Sequence, residues 1–145
     1  MDFDQVFSTF RISSSALAAE RTRMNVIAHN LANANTTHAP GGGPFRRNEV
    51  IFRTVLDREM GRRDPAGGLA GVAVERIVPS NAPFRSEHRP GHPDADPQTG
   101  MVRLPNVEPV TEMVDMITAS RSYQANLTVL STFREMILQT LRIGR

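Results

Sequence analysis

The densest group of metal-ligand side chains in the sequence lies between residues 88 and 96. His88, His92, Asp94 and Asp96 follow one another in the pattern His-x3-His-x-Asp-x-Asp. Imidazole and carboxylate groups are ligands that zinc and manganese accept. This spacing matches no established metal site, and the three interspersed prolines favour an extended, turn-forming segment. A metal-binding protein, or a metal-dependent enzyme, is therefore the alternative interpretation and not the favoured one.

Other catalytic groups are sparse. Glu112 and Asp115 lie one helical turn apart and are the best pair of carboxylates for acid–base chemistry, but at a helix start such residues are typically solvated. The chain has no cysteine and its 17 basic residues are all arginine, which excludes thiolate and lysine nucleophiles. Gly41-Gly42-Gly43 lacks the lysine of a phosphate-binding loop and predicts a flexible joint. The sequence predicts no enzyme, no cofactor and no small-molecule substrate.

The charge pattern argues against nucleic-acid or membrane-surface binding. The net charge is +2, and residues 1–39 carry three arginines against three acids. Arg46-Arg47 has no interleaved aromatic residues and is typical of salt-bridge partners. The first residues contain two aspartates and no basic segment, so we expect no cleaved secretory signal. No apolar run approaches the roughly 18 to 20 residues that span a bilayer.

Glycine and proline divide the chain into three parts. All ten prolines and nine of the ten glycines lie between Pro40 and Pro109. Because both residues interrupt helices, the sequence predicts an N-terminal helix over 1–39, a Gly/Pro-rich β or loop insertion over 40–109, and a C-terminal helix over 110–145. Short strands are expected at Val50–Leu56, Val72–Val78 and Met101–Leu104.

Apolar residues in both terminal segments repeat every seven positions. The first series is Phe3, Phe10, Leu17, Met24 and Leu31; the second is Met116, Tyr123, Leu130 and Ile137, flanked by Met113, Leu127 and Leu141. This repeat predicts a mainly α fold in which two long helices pack as a coiled-coil-like pair around a small β-hairpin insertion.

The remaining helix faces indicate that neighbouring subunits cover them. The residues off the C-terminal seam are Val129, Phe133, Met136 and Leu138, and charged residues are few on both helices. The stretch from His29 to Thr37 contains three asparagines, more than one helix cap needs, and their amides are suited to bonding an adjacent chain. The expected assembly interface is Asn30, Asn33, Asn35, Leu17, Met24, Leu31, Met116, Tyr123, Leu127, Leu130, Phe133, Ile137 and Leu141.

Several motifs together resemble the FlgC family of flagellar basal-body rod proteins, essentially end to end. They are the stretch from Ala28 to Thr37, Gly-Gly-Pro-Phe-Arg-Arg at 42–47, His-Pro-Asp-Ala-Asp at 92–96, Leu-Pro-Asn-Val at 104–107, and the helical segments 112–117 and 120–126. The asparagine-rich helix end and Ser-Arg-Ser-Tyr-Gln-Ala-Asn are shared with other rod and hook proteins. The sequence departs from the family pattern at Phe45, where tyrosine is frequent, and at Met101, where an aromatic residue is common.

The resemblance implies a structural subunit of the proximal rod. Members of the family form the drive shaft that crosses the bacterial periplasm, and their terminal helices pack side by side in a hollow tube. It further implies contacts with copies of the same chain, with other rod proteins and with the adaptor between rod and membrane ring. Export through the flagellar type III apparatus, without a cleaved signal, is also implied.

Overall fold

A computed structural model describes residues 3–56 and 69–143, with side chains for 8–55, 71–140 and 142. Two long helices enclose four strands along this part of the chain: α1 Phe3–Ala32, β1 Asn48–Leu56, β2 Leu69–Pro79, β3 Arg85–His88, β4 Met101–Leu104 and α2 Pro109–Ile143. β1 pairs with β2 in one two-stranded sheet. β3 pairs antiparallel with β4 in the other, with Arg85 opposite Leu104. The expected order of helix, β insertion and helix is present, but the strands make the fold less purely helical than predicted.

The predicted strands coincide with β1, β2 and β4, whereas β3 was not predicted. Its sequence, Arg-Ser-Glu-His, has no apolar alternation, so nothing local indicates a strand. β3 exists because its backbone pairs with β4, in which Val102 and Leu104 are buried. Because the buried apolar residues belong to the partner strand, the sequence of β3 itself shows no alternation of apolar and polar residues.

The first helix ends at Ala32, seven residues before the predicted boundary at 39. The N–H of Asn33 contacts the carbonyl oxygens of His29 and Asn30, each at 3.2 Å, and the N–H of Ala34 bonds the carbonyl of Leu31. The Asn33 side-chain amide also donates to the carbonyl of His29 at 2.9 Å. The Asn33 side chain thereby adds a second hydrogen bond to a carbonyl at the helix end. One asparagine at this end is explained by capping alone.

The three glycines after the first helix, predicted as a flexible joint, lie in a hydrogen-bonded turn. The N–H of Ala39 donates to the carbonyl of Gly43, and the N–H of Gly42 donates to the carbonyl of Ala39, both at 2.8 Å. Gly42 and Gly43 have φ of 79° and 76°. Side chains other than glycine rarely adopt this left-handed region, so the turn requires these two residues.

The described chain divides into two compact units. Unit 1 comprises the described residues of Met1–Met24, Ile51–Arg76 and Thr118–Arg145, and unit 2 those of Asn25–Val50 and Ile77–Ile117. Ala19, Val55 and Ala119 are buried in unit 1. In unit 2 the buried apolar residues are Ile27, Ala34, Val102, Leu104 and Val107. Both cores are small, so specific polar contacts contribute much to positioning the helices and strands within each unit.

In unit 1, β2 closely approaches α1 at Ser15. The hydroxyl of Ser15 donates to the carbonyl of Ile12 at 2.7 Å and accepts the N–H of Val72 at 3.0 Å. Gly71 precedes Val72 with φ of 153°, and a Cβ there would collide with the Ser15 Oγ. The absence of a side chain at residue 71 lets β2 reach α1.

We expect Gly71→Ala to lower the free energy of unfolding by about 1–3 kcal/mol, because the new methyl group must push β2 away from Ser15. Gly41→Ala is the matched control, since its Cβ would meet nothing within 4 Å. Urea unfolding midpoints of the two variants measure the difference. Equal midpoints would show that β2 shifts without cost.

Candidate functional site

The histidine and aspartate string forms turn-closing bonds. The N–H of Asp94 donates to Nδ1 of His92 at 3.1 Å, and a carboxylate oxygen of Asp94 accepts the Thr37 hydroxyl at 2.7 Å. His88 lies in β3, packed against the backbone turn at Gly100. Across the described ranges, no three metal-ligating side chains converge on one position. The geometry gives the metal-binding alternative no support.

Asp96 closes the next turn of the same loop. Its carboxylate accepts the N–H of Gln98 at 2.9 Å and the hydroxyl of Thr99 at 3.0 Å. These bonds lower the pKa of Asp96 below its ordinary value of 3.8. The backbone bond from Gln98 makes the largest contribution, and the hydroxyl of Thr99 makes the next. The ionised carboxylate is thus the form that the folded loop binds.

A carboxylate with a lowered pKa stabilises the folded loop above its ordinary pKa, and this contribution is lost as pH falls through the folded value. We expect an NMR titration to place the Asp96 midpoint below 3.8. The amide of Gln98 should shift in the same pH range. In Asp96→Asn the Gln98 shift should vanish, and a normal midpoint in the unsubstituted chain would contradict the capping role.

A polar cluster in unit 2 surrounds Glu112, which is fully buried. One carboxylate oxygen accepts Nε of Arg47 at 2.6 Å, and the other accepts the amide of Asn30 at 3.0 Å. The same guanidinium reaches Glu49 at 2.9 Å and Asp115 at 3.5 Å. The expectation of a solvated Glu112 is wrong, because the residue is buried. Its partner Arg47 lies 65 positions away along the chain, so no local sequence pattern indicates the ion pair.

Asn30 completes this cluster and is used entirely within the chain. It is 1% exposed; its amide donates also to the carbonyl of Asn48 at 2.9 Å, and its oxygen accepts the N–H of Asn48 at 2.9 Å. The expected bond from Asn30 to an adjacent chain therefore has no free polar atom to form it. Asn30 and Glu112 instead fix the end of α1 beside the starts of β1 and α2.

Arg47 remains charged in this site. Partial burial opposes the charge, but the hydrogen bond from Arg47 to Glu112 and the carboxylates of Glu112, Glu49 and Asp115 outweigh it and raise the pKa of Arg47 above its ordinary value. The guanidinium of Arg47 therefore keeps its positive charge beside these carboxylates. Its role is to position structural elements.

The remaining asparagines of the helix end differ from Asn30. Asn33 caps the helix and accepts the Thr36 hydroxyl at 3.2 Å, so its amide also serves the chain itself. Asn35 is exposed. Of the three asparagines, only Asn35 presents its side chain outward.

The predicted apolar interface divides into half-buried and exposed positions. The half-buried residues are Leu17, Met24, Leu31, Met116, Tyr123, Leu130 and Phe133. Leu127 and Ile137 are exposed by 51% and 38%. The side chain of Leu141 lies outside the described residues, as does that of Phe3 in the N-terminal seven-residue series.

α2 carries an exposed apolar surface in each unit. In unit 2, Val110, Met113, Val114 and Ile117 are 47–64% exposed at helical spacing i, i+3, i+4 and i+7. In unit 1, a groove of about 700 Å³ is lined by apolar residues of both helices, namely Phe10, Leu127, Leu130, Ile137 and Leu138. Contiguous exposed apolar surface of this kind marks sites of protein association. These two surfaces are the candidate functional site.

In the part of the chain that the structure describes, neither helix is both long and apolar enough to cross a membrane.

Comparisons with known proteins give a consistent result. A model described as "Flagella basal body rod protein" matches residues 10–39, and one described as "Flagellar basal body rod FlgEFG protein C-terminal" matches residues 98–143. The flagellar basal-body rod protein FlgC of Salmonella typhimurium is 44% identical over 142 residues, covering 97% of this chain and 98% of the relative. The protein of the same name in Borreliella burgdorferi is 37% identical over 95% of this chain and 97% of its own length. The protein of the same name in Aquifex aeolicus is 43% identical over 93% of this chain and 94% of its own length.

Proposed function

Since the chain belongs to the FlgC family of flagellar basal-body rod proteins, we propose that it is built into the proximal rod and transmits torque from the membrane ring to the distal rod and hook. It is a structural subunit of the basal body and not an enzyme. The family implies self-assembly beside other basal-body components.

In this proposal the two helices pack as a coiled-coil-like pair and join those of neighbouring copies in a hollow tube. The observation that carries it is the exposed apolar surface of α2, with Met113 and Ile117 in unit 2 and Leu127 and Ile137 in unit 1. Water contact at these side chains is unfavourable by about 25 cal/mol per Å² of apolar area, so burial between subunits stabilises the assembly. The apolar face of a helix from a neighbouring subunit is suited to covering such a surface.

The finer partners and the route of export are parts of the same proposal. We place the subunit in the periplasm-spanning section of the rod, in contact with copies of itself, with other rod proteins and with the adaptor to the membrane ring. The chain is exported from the cytoplasm through the flagellar type III apparatus without signal cleavage. The support for these parts is the similarity to the rod proteins named above.

The test is the location of this chain in purified basal bodies. Cells in which the gene is deleted should be non-motile and should yield basal bodies without a complete rod. Complementation should restore both, and cryo-EM of the restored basal bodies should reveal the two helices of this chain between membrane ring and distal rod. A motile deletion strain, or restored rods that lack the chain, would refute the proposal.

A further inference from the structure

Two arginines of unit 2 stack on one aromatic ring, and the described residues give neither of them a carboxylate partner. The guanidinium carbon of Arg46 lies 4.3 Å from the centroid of the Phe84 ring, and that of Arg103 lies 5.1 Å from it. Arg47 and Arg89, by contrast, each have a carboxylate within 3 Å. The cations at Arg46 and Arg103 are thus left uncompensated among the described residues.

Two aspartates near Arg103 already accept hydrogen bonds within the chain. Asp94 and Asp96 line a cavity together with Arg103, but neither is within ion-pair distance of it. The Asp94 carboxylate accepts the Thr37 hydroxyl, and Asp96 caps its own turn. Neither loop aspartate is therefore bound to the guanidinium of Arg103.

The guanidinium of Arg46 is held in place before any partner arrives. Its Nη1 donates to the carbonyls of Ser80 at 2.8 Å and Ala82 at 3.4 Å, and the ring of Phe84 supports it. Stacking on an aromatic ring leaves N–H groups at the guanidinium edge, where they match both oxygens of a carboxylate. A preorganised donor loses less side-chain entropy on binding.

We propose that Arg46 and Arg103, stacked on Phe84, bind a carboxylate side chain of a second copy of this chain. This inference rests on the proposed function, because it assumes that copies of the chain lie side by side. We call the three residues the stacked-arginine site.

Charge complementarity argues for a second copy as the occupant. With 17 basic and 15 acidic residues, the whole chain is close to balanced. Yet Glu75, Glu108 and Glu135 are exposed, and the described residues give them no ion pair. Cations and carboxylates that remain unpaired within one copy can pair between copies. A contact between two different surfaces of the same chain propagates along an assembly, as a rod subunit requires.

The first test reverses one charge in the full-length chain. Arg103→Glu changes an exposed residue, so we expect an unchanged urea midpoint, normal export, and loss of both motility and rods. Arg46→Glu should give the same loss. Arg85→Glu is the matched control, because Arg85 is exposed in the same hairpin but does not stack on Phe84. It should remain motile.

The second test restores the pair. In the Arg103→Glu strain, one of the reversals Glu75→Arg, Glu108→Arg or Glu135→Arg should restore swimming. The chain has no cysteine, so cysteines placed at 103 and at the restoring position should cross-link copies in oxidised basal bodies.

The outcomes separate the two proposals. Normal rods with both Arg103→Glu and Arg46→Glu would overturn the stacked-arginine site, and equal loss with Arg85→Glu would do the same. Loss that none of the three reversals restores would overturn the second copy as its occupant. Absence of the wild-type chain from purified basal bodies would instead refute the proposed function.

Discussion

Ile137→Asp is expected to abolish rod assembly while leaving the isolated chain folded. Ile137 is 38% exposed in the described structure, so an aspartate at this position contacts water in the single chain. In the proposed tube, a neighbouring helix covers the groove that Ile137 lines, and the carboxylate is then buried without a partner. That burial costs several kcal/mol in every copy. We expect the variant to be exported yet to build no rod beyond it, leaving the cells non-motile.

Leu130→Asp tests the same groove at a half-buried position. It should also prevent assembly, but with a measurable loss of stability in the isolated chain, because Leu130 already packs within unit 1. Comparing urea midpoints with basal-body yield separates the folding effect from the assembly effect.

Two control variants define what the groove contributes. Gln139→Asp adds the same charge two residues from Ile137, at an exposed polar position on the other side of the helix, and should assemble. Arg142→Ala should have a mild effect, since a cation in the last helical turn contributes only about 0.3 to 1 kcal/mol. Wild-type swimming of Ile137→Asp, at equal expression, would show that the groove is not a buried contact in the rod.

Glu112→Ala should have the largest effect on folding. Removing a buried member of an ion pair costs about 3–5 kcal/mol, because the partner loses its compensation. Arg47 keeps Glu49 and Asp115, so we expect a value near the lower end of this range. Asn30 loses one of the two acceptors of its amide, which loosens the bond between its oxygen and the N–H of Asn48.

The measurement combines urea unfolding with amide exchange at Asn48. Exchange there should accelerate in Glu112→Ala, because that N–H bonds Asn30 directly. Asp115→Asn is the control. Its carboxylate is 46% exposed and 3.5 Å from Arg47, and such surface pairs contribute at most about 1 kcal/mol. A loss in the free energy of unfolding below about 1 kcal/mol for Glu112→Ala would contradict the proposed stabilising role of this residue in the polar cluster.

The double variant Glu112→Leu/Arg47→Met removes both charges. It should lose less stability than the two single changes together, because no uncompensated charge remains buried. Additive losses would indicate that Glu112 and Arg47 act independently.

Local features of the sequence determined the element order and three of the four strands. The confinement of proline to 40–109 leaves two uninterrupted helices, since proline removes a helix hydrogen bond wherever it occurs. The seven-residue repeat identifies apolar residues such as Leu130 and Ile137 on α2, and the family motifs identify a rod protein. Each of these signals is contained in a short window of sequence.

Tertiary structure alone decided which polar residues face inward and which apolar residues remain uncovered. Glu112 and Arg47 form an ion pair although 65 positions separate them along the chain. Asn30 bonds the same carboxylate from 82 positions away. A buried charge is tolerated only beside its partner, and no local pattern records a partner so distant in the chain. β3 likewise depends on its pairing with β4. The exposure of Ile137 is decided by which surfaces of its own chain reach it, and periodicity identifies a helix face without saying what packs against it.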